Sequence, residues 1–306
     1  MRDPLPPPWI RKEAIRGDAS SRSYSRLWSA DGNSAILVDY TPAEQSLLSR
    51  DLEIRSWCAR HLRVPSLFSS DIDAGWAILE DFGADDAEGA LGLASADHLL
   101  ELVTTLLNPL ITLAALDPRD LPPWNRPLDH RRLRWEIAGF ELWVLQYRLG
   151  HQPSTVIGSW FDELVTAIDS HPKRICHRDY HLNNIFLARD GSVGLIDYQD
   201  ILVGPDTYDA VSLLCERGMP RFLSNEGRAS LKKVWAESTS AAPGWPDRWQ
   251  LVRIQRGLKA LGTFARLTAS GMKDYESWLT DLAHELAPDL AVADAPTELI
   301  DLLLDL

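Results

Sequence analysis

Positive charge is scarce in this chain. Lys and Arg number 31 against 44 Asp and Glu, a formal charge of −13 over 306 residues, and no lysine occurs between Lys12 and Lys173. This balance excludes a binder of nucleic acid or of an acidic membrane, because phosphate contacts need a basic face. It leaves ATP open, since Mg²⁺ and a few local cations neutralise its phosphates, and it would also suit a cationic acceptor. Cysteine is scarce too. Cys58, Cys176 and Cys215 have no metal-ligand spacing, and an odd count inside apolar segments reads as buried thiols in a reducing compartment. No apolar run approaches the length of a membrane span, and the opening MRDPLPPPWIRKE lacks the apolar stretch of a signal peptide. The expectation is a soluble cytoplasmic protein. Repeats and long low-complexity segments are absent. A hydrophobic content of 45% provides for a sizeable core, and the length fits one two-lobed enzyme or two ordinary domains.

What is present centres on RICHRDYHLNNIFLARDGSVGLIDYQD, residues 174–200. His177, Asp179 and Asn184 fit H-x-D-x-x-x-x-N, and Asp197 ends a second apolar run, Val193-Gly194-Leu195-Ile196. Ile175-Cys176 and Ile185-Phe186-Leu187 are strand-like, and Asp190-Gly191 is a hairpin signal that returns Asp197 beside Asn184. Phosphoryl transfer from ATP needs this layout. An Asp beside the acceptor hydroxyl takes or orients its proton, while an Asn and a second Asp hold Mg²⁺ against the phosphates. Asp179 is therefore the candidate catalytic residue and Asn184 and Asp197 the candidate metal ligands. Asp200 is a further acid near Asp197. His177 is expected to brace the loop by hydrogen bonding.

Residues 1–12 read as an irregular arm and Glu13–Asp39 as a small antiparallel sheet. Its signals are a Ser-rich turn at Gly17–Ser23, a hairpin turn at Ala30–Ser34 and a buried strand, Ala35-Ile36-Leu37-Val38. Residues 42–63 carry helical spacing, with Glu44 and Glu53 as its acids. Trp76-Ala77-Ile78-Leu79-Glu80-Asp81-Phe82-Gly83 is an apolar strand ending in acids and Gly, placed where a hinge is expected. Adenine would bond there to main-chain groups around Glu80 and Phe82. Composition turns helix-rich after Gly83, which places a domain boundary there: 1–83 and 84–306. In the stretch Asp129–Leu149, Trp135, Phe140, Trp143 and Tyr147 recur at helical spacing. Such aromatics read first as core; the functional alternative is a sugar platform at Trp143, with Glu136 and Glu141 bonding hydroxyls. The long helix at Trp249–Leu267 shows Leu251, Ile254, Leu258, Leu261 and Phe264 on one face. The last helix could cover the core or a second subunit, leaving monomer and homodimer both open.

HRDYHLNN followed by LIDYQD and GPDTYDAVSLL resembles the aminoglycoside phosphotransferase/choline kinase superfamily. GDASSRSYSR, AILEDFG and LPPWNRPL are similar to the bacterial sugar kinases within it, which phosphorylate the anomeric hydroxyl of N-acetylmuramate and N-acetylglucosamine in cell-wall recycling. The resemblance covers roughly residues 14–216. It implies an α+β, protein-kinase-like fold, with a small antiparallel-sheet N-lobe over a larger, mainly helical C-lobe and ATP between them. It implies a phosphate cover at Ser20, Ser21 and Arg22, a structural role for Asp209, and an acceptor-binding acid near Glu136 or Glu141. One departure from protein kinases is the missing lysine of the third strand. Arg26, or else Arg22, is the candidate replacement, and a helix acid, Glu44 or Glu53, could pair with it. The same chemistry on an aminoglycoside, choline, homoserine or methylthioribose stays open, as does a non-catalytic nucleotide-binding module. A protein kinase is disfavoured by the lack of an Ala-Pro-Glu-like segment.

Overall fold

The structure is a computed structural model that describes residues 6–15, 22–188, 190–215 and 218–306. Ser20 and Ser21 lie outside the described residues. The chain opens with strands β1 (Trp9–Ile15), β2 (Ser23–Ser29) and β3 (Ser34–Asp39), then helix α1 (Gln45–Cys58), strands β4 (Leu67–Asp71) and β5 (Trp76–Glu80), and helices α2 (Ala87–Leu93), α3 (Ala96–Thr105) and α4 (Asn108–Ala115). There follow α5 (His130–Phe140), a π-helix over Glu141–Arg148, α6 (Thr155–Asp169), and the short strands β6 (Lys173–Cys176), β7 (Ile185–Leu187), β8 (Val193–Leu195) and β9 (Leu202–Pro205). Helices α7 (Tyr208–Cys215), α8 (Met219–Phe222), α9 (Asn225–Ser238), α10 (Trp245–Ala269), α11 (Tyr275–Val292) and α12 (Thr297–Leu304) complete it. The small antiparallel sheet and mostly helical remainder are the expected kinase-like fold.

Two compact units are formed, one by residues 1–112 with 182–200, the other by 113–181 with 201–306. Gly83 lies within the first unit, where α2 packs on the turn at 182–184 and on β7. In the first unit the sheet runs β1-β2-β3-β5-β4, antiparallel throughout. The arm read over residues 1–12 is strand from Trp9, because Trp9 packs against the sheet core of Leu27, Ala35, Leu37 and Ile78. The β2–β3 hairpin turns at Gly32, whose φ of +86° suits glycine. The two outer strands carry rings in contact: Trp9 of β1 stacks on Phe68 of β4, centroids 6.5 Å apart.

In the second unit α10 is buried nearly all round. At Gly262 an added Cβ would lie 2.5 Å from the main-chain nitrogen of Phe140, so α10 crosses the end of α5 at backbone contact. The π-helix begins one residue later, with Leu149 N–H bonding Val144 O. Burial along this stretch makes one correction. Of the aromatics spaced for a core, Phe140 is fully buried, but Trp135 and Tyr147 are exposed and Trp143 is half-buried with its ring against Tyr147. A second correction concerns length. His98–Ala115 is long and apolar enough, by length and composition alone, to cross a membrane, although Val103, Leu106, Leu107, Leu110 and Leu113 are buried within the protein.

Candidate active site

In the first unit, residues 182–200 fold as a loop and hairpin. A single 3₁₀ turn, Leu182–Asn184, leads into β7, which pairs with β8 (Ile185 opposite Leu195). Ile196 N–H donates to Asn184 O at 3.0 Å, which brings Asp197 alongside Asn184. Asp197 sits at φ +60°, a left-handed conformation that non-glycine residues rarely adopt outside functional turns, and its carboxylate accepts from Gln199 Nε2. The neighbouring Asn183 anchors the loop through its amide to Asp86 (2.9 Å) and Glu88 (2.8 Å) at the start of α2. Asp200 closes the short turn after Asp197.

Arg22 Nη1 lies 3.2 Å from Asp51 on α1, and Tyr40 donates its hydroxyl to the same carboxylate at 2.8 Å. Burial opposes the Arg22 charge, but Tyr24, Tyr40, Asp51 and Asp197 outweigh it and hold the guanidinium above its ordinary value. Arg26, the first candidate for the missing lysine, is bound instead to the hinge. Its Nε meets Asp81 at 2.6 Å and its Nη2 donates to Gly83 O at 2.8 Å. A helix acid that receives an arginine is thus Asp51, which pairs with Arg22.

Glu80 is braced rather than open. Its carboxylate is gripped by Arg63, its main-chain N–H donates to Ser66 O at 2.8 Å, and the Arg63 bond chiefly holds the carboxyl down at about 2. Phe82 packs on the β7–β8 hairpin. Its ring lies 5.7 Å from that of Phe186 and under the Arg63 guanidinium, and a Cβ at Gly194 would come within 2.7 Å of it.

In the second unit, β6 pairs with β9 (Cys176 opposite Leu202) and delivers the loop that begins at His177. Asp209, at the start of α7, accepts from the main-chain N–H groups of His177 (2.6 Å) and Arg178 (2.9 Å). This holds Arg178 at φ +82°. Burial pushes the Asp209 carboxyl up, against the pull of His177 and the two main-chain donors. His177 is fully buried, edge-on to Tyr180.

Asp179 follows. Its side chain is 29% accessible and lines a cavity of about 260 Å³ with Lys259, Thr263, Phe264 and Trp278. Burial works against its charge. Lys259, Arg178, Arg256 and His181 prevail and keep it far below the usual carboxylate range. Glu136 does not open onto solvent. It is buried, with one oxygen 3.3 Å from Arg178 and 3.6 Å from Lys259, and the other bonded by Tyr208 (3.2 Å) and Gln255 (3.1 Å). Glu141 is taken by Arg134, which also binds Asp162.

Sequence reasoning missed Lys259, Arg256 and Trp278. A signal for the first two was available. Arg256 and Lys259 fall between the apolar positions Ile254, Leu258 and Leu261 of the long helix, and charges in a buried stretch of helix must be paired.

A divalent cation can be tested against the donors present. Among the described residues no group of three or more His, Cys, Asp or Glu could hold a metal ion. Asn184 and Asp197 supply oxygen donors brought together by the Ile196 bond. That suits Mg²⁺, which takes one or two protein oxygens and completes its shell with phosphate and water.

The sequence profile of the phosphotransferase enzyme family matches residues 13–249. An N-acetylmuramate/N-acetylglucosamine kinase of Neisseria meningitidis is 30% identical over 286 residues, covering 84% of this chain and 78% of that protein. A kinase of the same name from Pseudomonas aeruginosa is 28% identical over 261 residues, covering 82% and 75%. Among solved structures, a type VIII aminoglycoside-3'-phosphotransferase is similar with a TM-score of 0.60 at 18% identity, over 82% of this chain and 94% of that one. A choline kinase from Streptococcus pneumoniae has a TM-score of 0.60 at 13% identity, over 93% and 94%.

Proposed function

The chain belongs to the phosphotransferase enzyme family, and from that premise we propose that it phosphorylates the anomeric hydroxyl of an amino sugar such as N-acetylmuramate or N-acetylglucosamine. It is an ATP-using kinase of a small-molecule hydroxyl. The amino-sugar reading draws on the names of relatives at 28% and 30% identity. The observation that carries it is Asp179, kept ionised on the wall of a cavity that also offers an aromatic surface at Trp278. A pyranose stacks on such a ring while its hydroxyls meet polar neighbours.

In the reaction Asp179 accepts the proton of the acceptor hydroxyl. The acceptor oxygen forms its bond to the γ-phosphorus as the bond from that phosphorus to the ADP oxygen breaks. The transition state is largely dissociative, so placement and late proton uptake are the contributions of Asp179. Asn184 and Asp197 would hold Mg²⁺, which when bound neutralises charge on the phosphates. Arg22, fixed by Asp51 as the strand lysine of protein kinases is fixed by a helix glutamate, takes the phosphate-binding role. Phe82 contributes to the adenine end. The functional boundary at Gly83 goes with this assignment. Polycationic acceptors are disfavoured by Lys259 and Arg256 beside Asp179.

The test is ADP release with Mg-ATP over N-acetylmuramate, N-acetylglucosamine, glucose, kanamycin, choline and homoserine. Turnover is expected on the N-acetyl sugars and not on their 1-O-methyl glycosides. Asp179→Asn should lower kcat by about 10²–10⁴-fold with little change in the KM for ATP. Turnover on the methyl glycosides, or only on a cationic acceptor, would overturn the reading.

A further inference from the structure

Glu136 is a buried carboxylate with four donors around its two oxygens. Arg178 approaches one oxygen, Tyr208 and Gln255 donate to the other, and Lys259 is the fourth partner. Lys259 differs from the other three in where its head lies. Its Nζ stands 3.6 Å from Glu136 Oε1 and 3.6 Å from Asp179 Oδ1, its side chain is 23% accessible, and it lines the cavity that Asp179 lines. At 3.6 Å both pairs are Coulombic and longer than an N–H···O hydrogen bond. An ammonium with three donors is therefore fixed by two charges without committing its donors to either.

We propose that Lys259 is a catalytic residue of the acceptor site, donating to an acceptor oxygen next to the attacked hydroxyl while holding the Asp179 carboxylate in place, and that Glu136 is the positioning residue that fixes it. The proposal rests on the phosphotransferase reading above. It also gives Glu136 a role different from the direct sugar contact expected from sequence.

Electrostatics support this. Asp179 is faced by Arg178 and His181 from its own loop and by Arg256 and Lys259 from α10. Arg256 donates to Arg178 O (3.1 Å) and Ser212 Oγ (2.8 Å). Arg178 is turned to Glu136. Glu136 on α5, with Tyr208 and Asp209 on α7, are further titratable groups of the cluster. Lys259 lies at ion-pair distance from both Asp179 and Glu136. When Asp179 takes the acceptor proton its charge is cancelled, and the ammonium is left to the new phosphate ester oxygen. No further reactant is needed.

The experiment is a double-mutant cycle on the full-length protein: Lys259→Met, Glu136→Gln and the pair. Lys259→Met alone leaves Glu136 short of a cation and is expected to lower Tm. The pair removes one charge of each sign, so Tm should recover. If Lys259 acts on the acceptor, kcat/KM for the acceptor stays about a hundredfold down in the pair, with the KM for ATP unchanged within about twofold. The acid limb of the pH profile should also move up in the pair relative to Glu136→Gln. Recovery of kcat/KM to within about threefold of the native protein in the pair would overturn the proposal, leaving Lys259 a counter-ion of Glu136. If the native protein turns over a different acceptor, the amino-sugar reading fails and the cycle is read on that acceptor. If none is found, ¹³C carboxyl titration with Asp179→Asn as the assignment decides. The Asp179 midpoint must rise in the pair relative to Glu136→Gln, and an unmoved midpoint sinks the idea.

Discussion

Arg22 and Arg26 are four residues apart, and an extended strand spaces such positions by roughly 13 Å, so they reach different partners. Arg26 reaches Asp81 and Gly83, while Arg22 faces Asp51 and feels Asp197. Arg22→Met should therefore raise the KM for ATP about tenfold and lower kcat, whereas Arg26→Met should chiefly lower Tm; steady-state kinetics beside thermal melts separate the two. The sequence exposed an absent lysine and two arginines able to replace it. It did not expose the choice, since that depends on which face of α1 meets the sheet, and Asp51 is two positions from Glu53. His171 supplies a pH test. Burial lowers its pKa from 6.5 to about 4, against Asp206 and together with Arg248 and Lys173. The folded state favours the neutral ring, so the contribution is full above pH 6.5 and is lost as pH falls through about 4. It amounts to roughly 3 kcal/mol. His171→Gln should flatten the fall in stability over that window, measured by denaturant titration at successive pH values.

At the level of elements, two glycines show where packing leaves no room for a methyl group. Gly194 on β8 lies against the Phe82 ring, so Gly194→Ala must push the hinge aromatic away from the β7–β8 hairpin. The expected result is a several-fold higher KM for ATP, read in the same kinetic assay. Gly262 meets the backbone of residues 139 and 140, which cannot yield as a side chain can. Gly262→Ala should cost about 1–3 kcal/mol in chemical denaturation, with most of the loss in the second unit. Helix α10 was legible as apolar and periodic, yet Gly262 was not legible as its closest crossing. The π-helix was illegible for a related reason. Its sequence has ordinary helical spacing, and the segment packs on α10, a helix distant in sequence.

Across the whole molecule, legibility followed sequence distance. The H-x-D-x-x-x-x-N segment and Asp197 lie within a short run, so their spacing, with the strand and hairpin signals around it, pointed to the chemistry, and the resemblance named the fold. The cavity beside Asp179 draws on residues 179, 259 and 278, and no local pattern joins them. The acids picked from the aromatic stretch went elsewhere. Glu136 became a buried counter-ion and Glu141 the partner of Arg134. The formal charge of −13 is spread over a chain that keeps Lys259, Arg256 and Arg178 around Asp179.

The Trp9–Phe68 stack joins the first and last strands in the spatial order of the five-stranded sheet. A sheet rolled that far presents neither rim as a flat template, so a strand from another molecule has no straight partner to add to. The two rings thus act as a clasp against self-polymerisation. Phe68→Ser should leave turnover intact yet raise light scattering during slow heating.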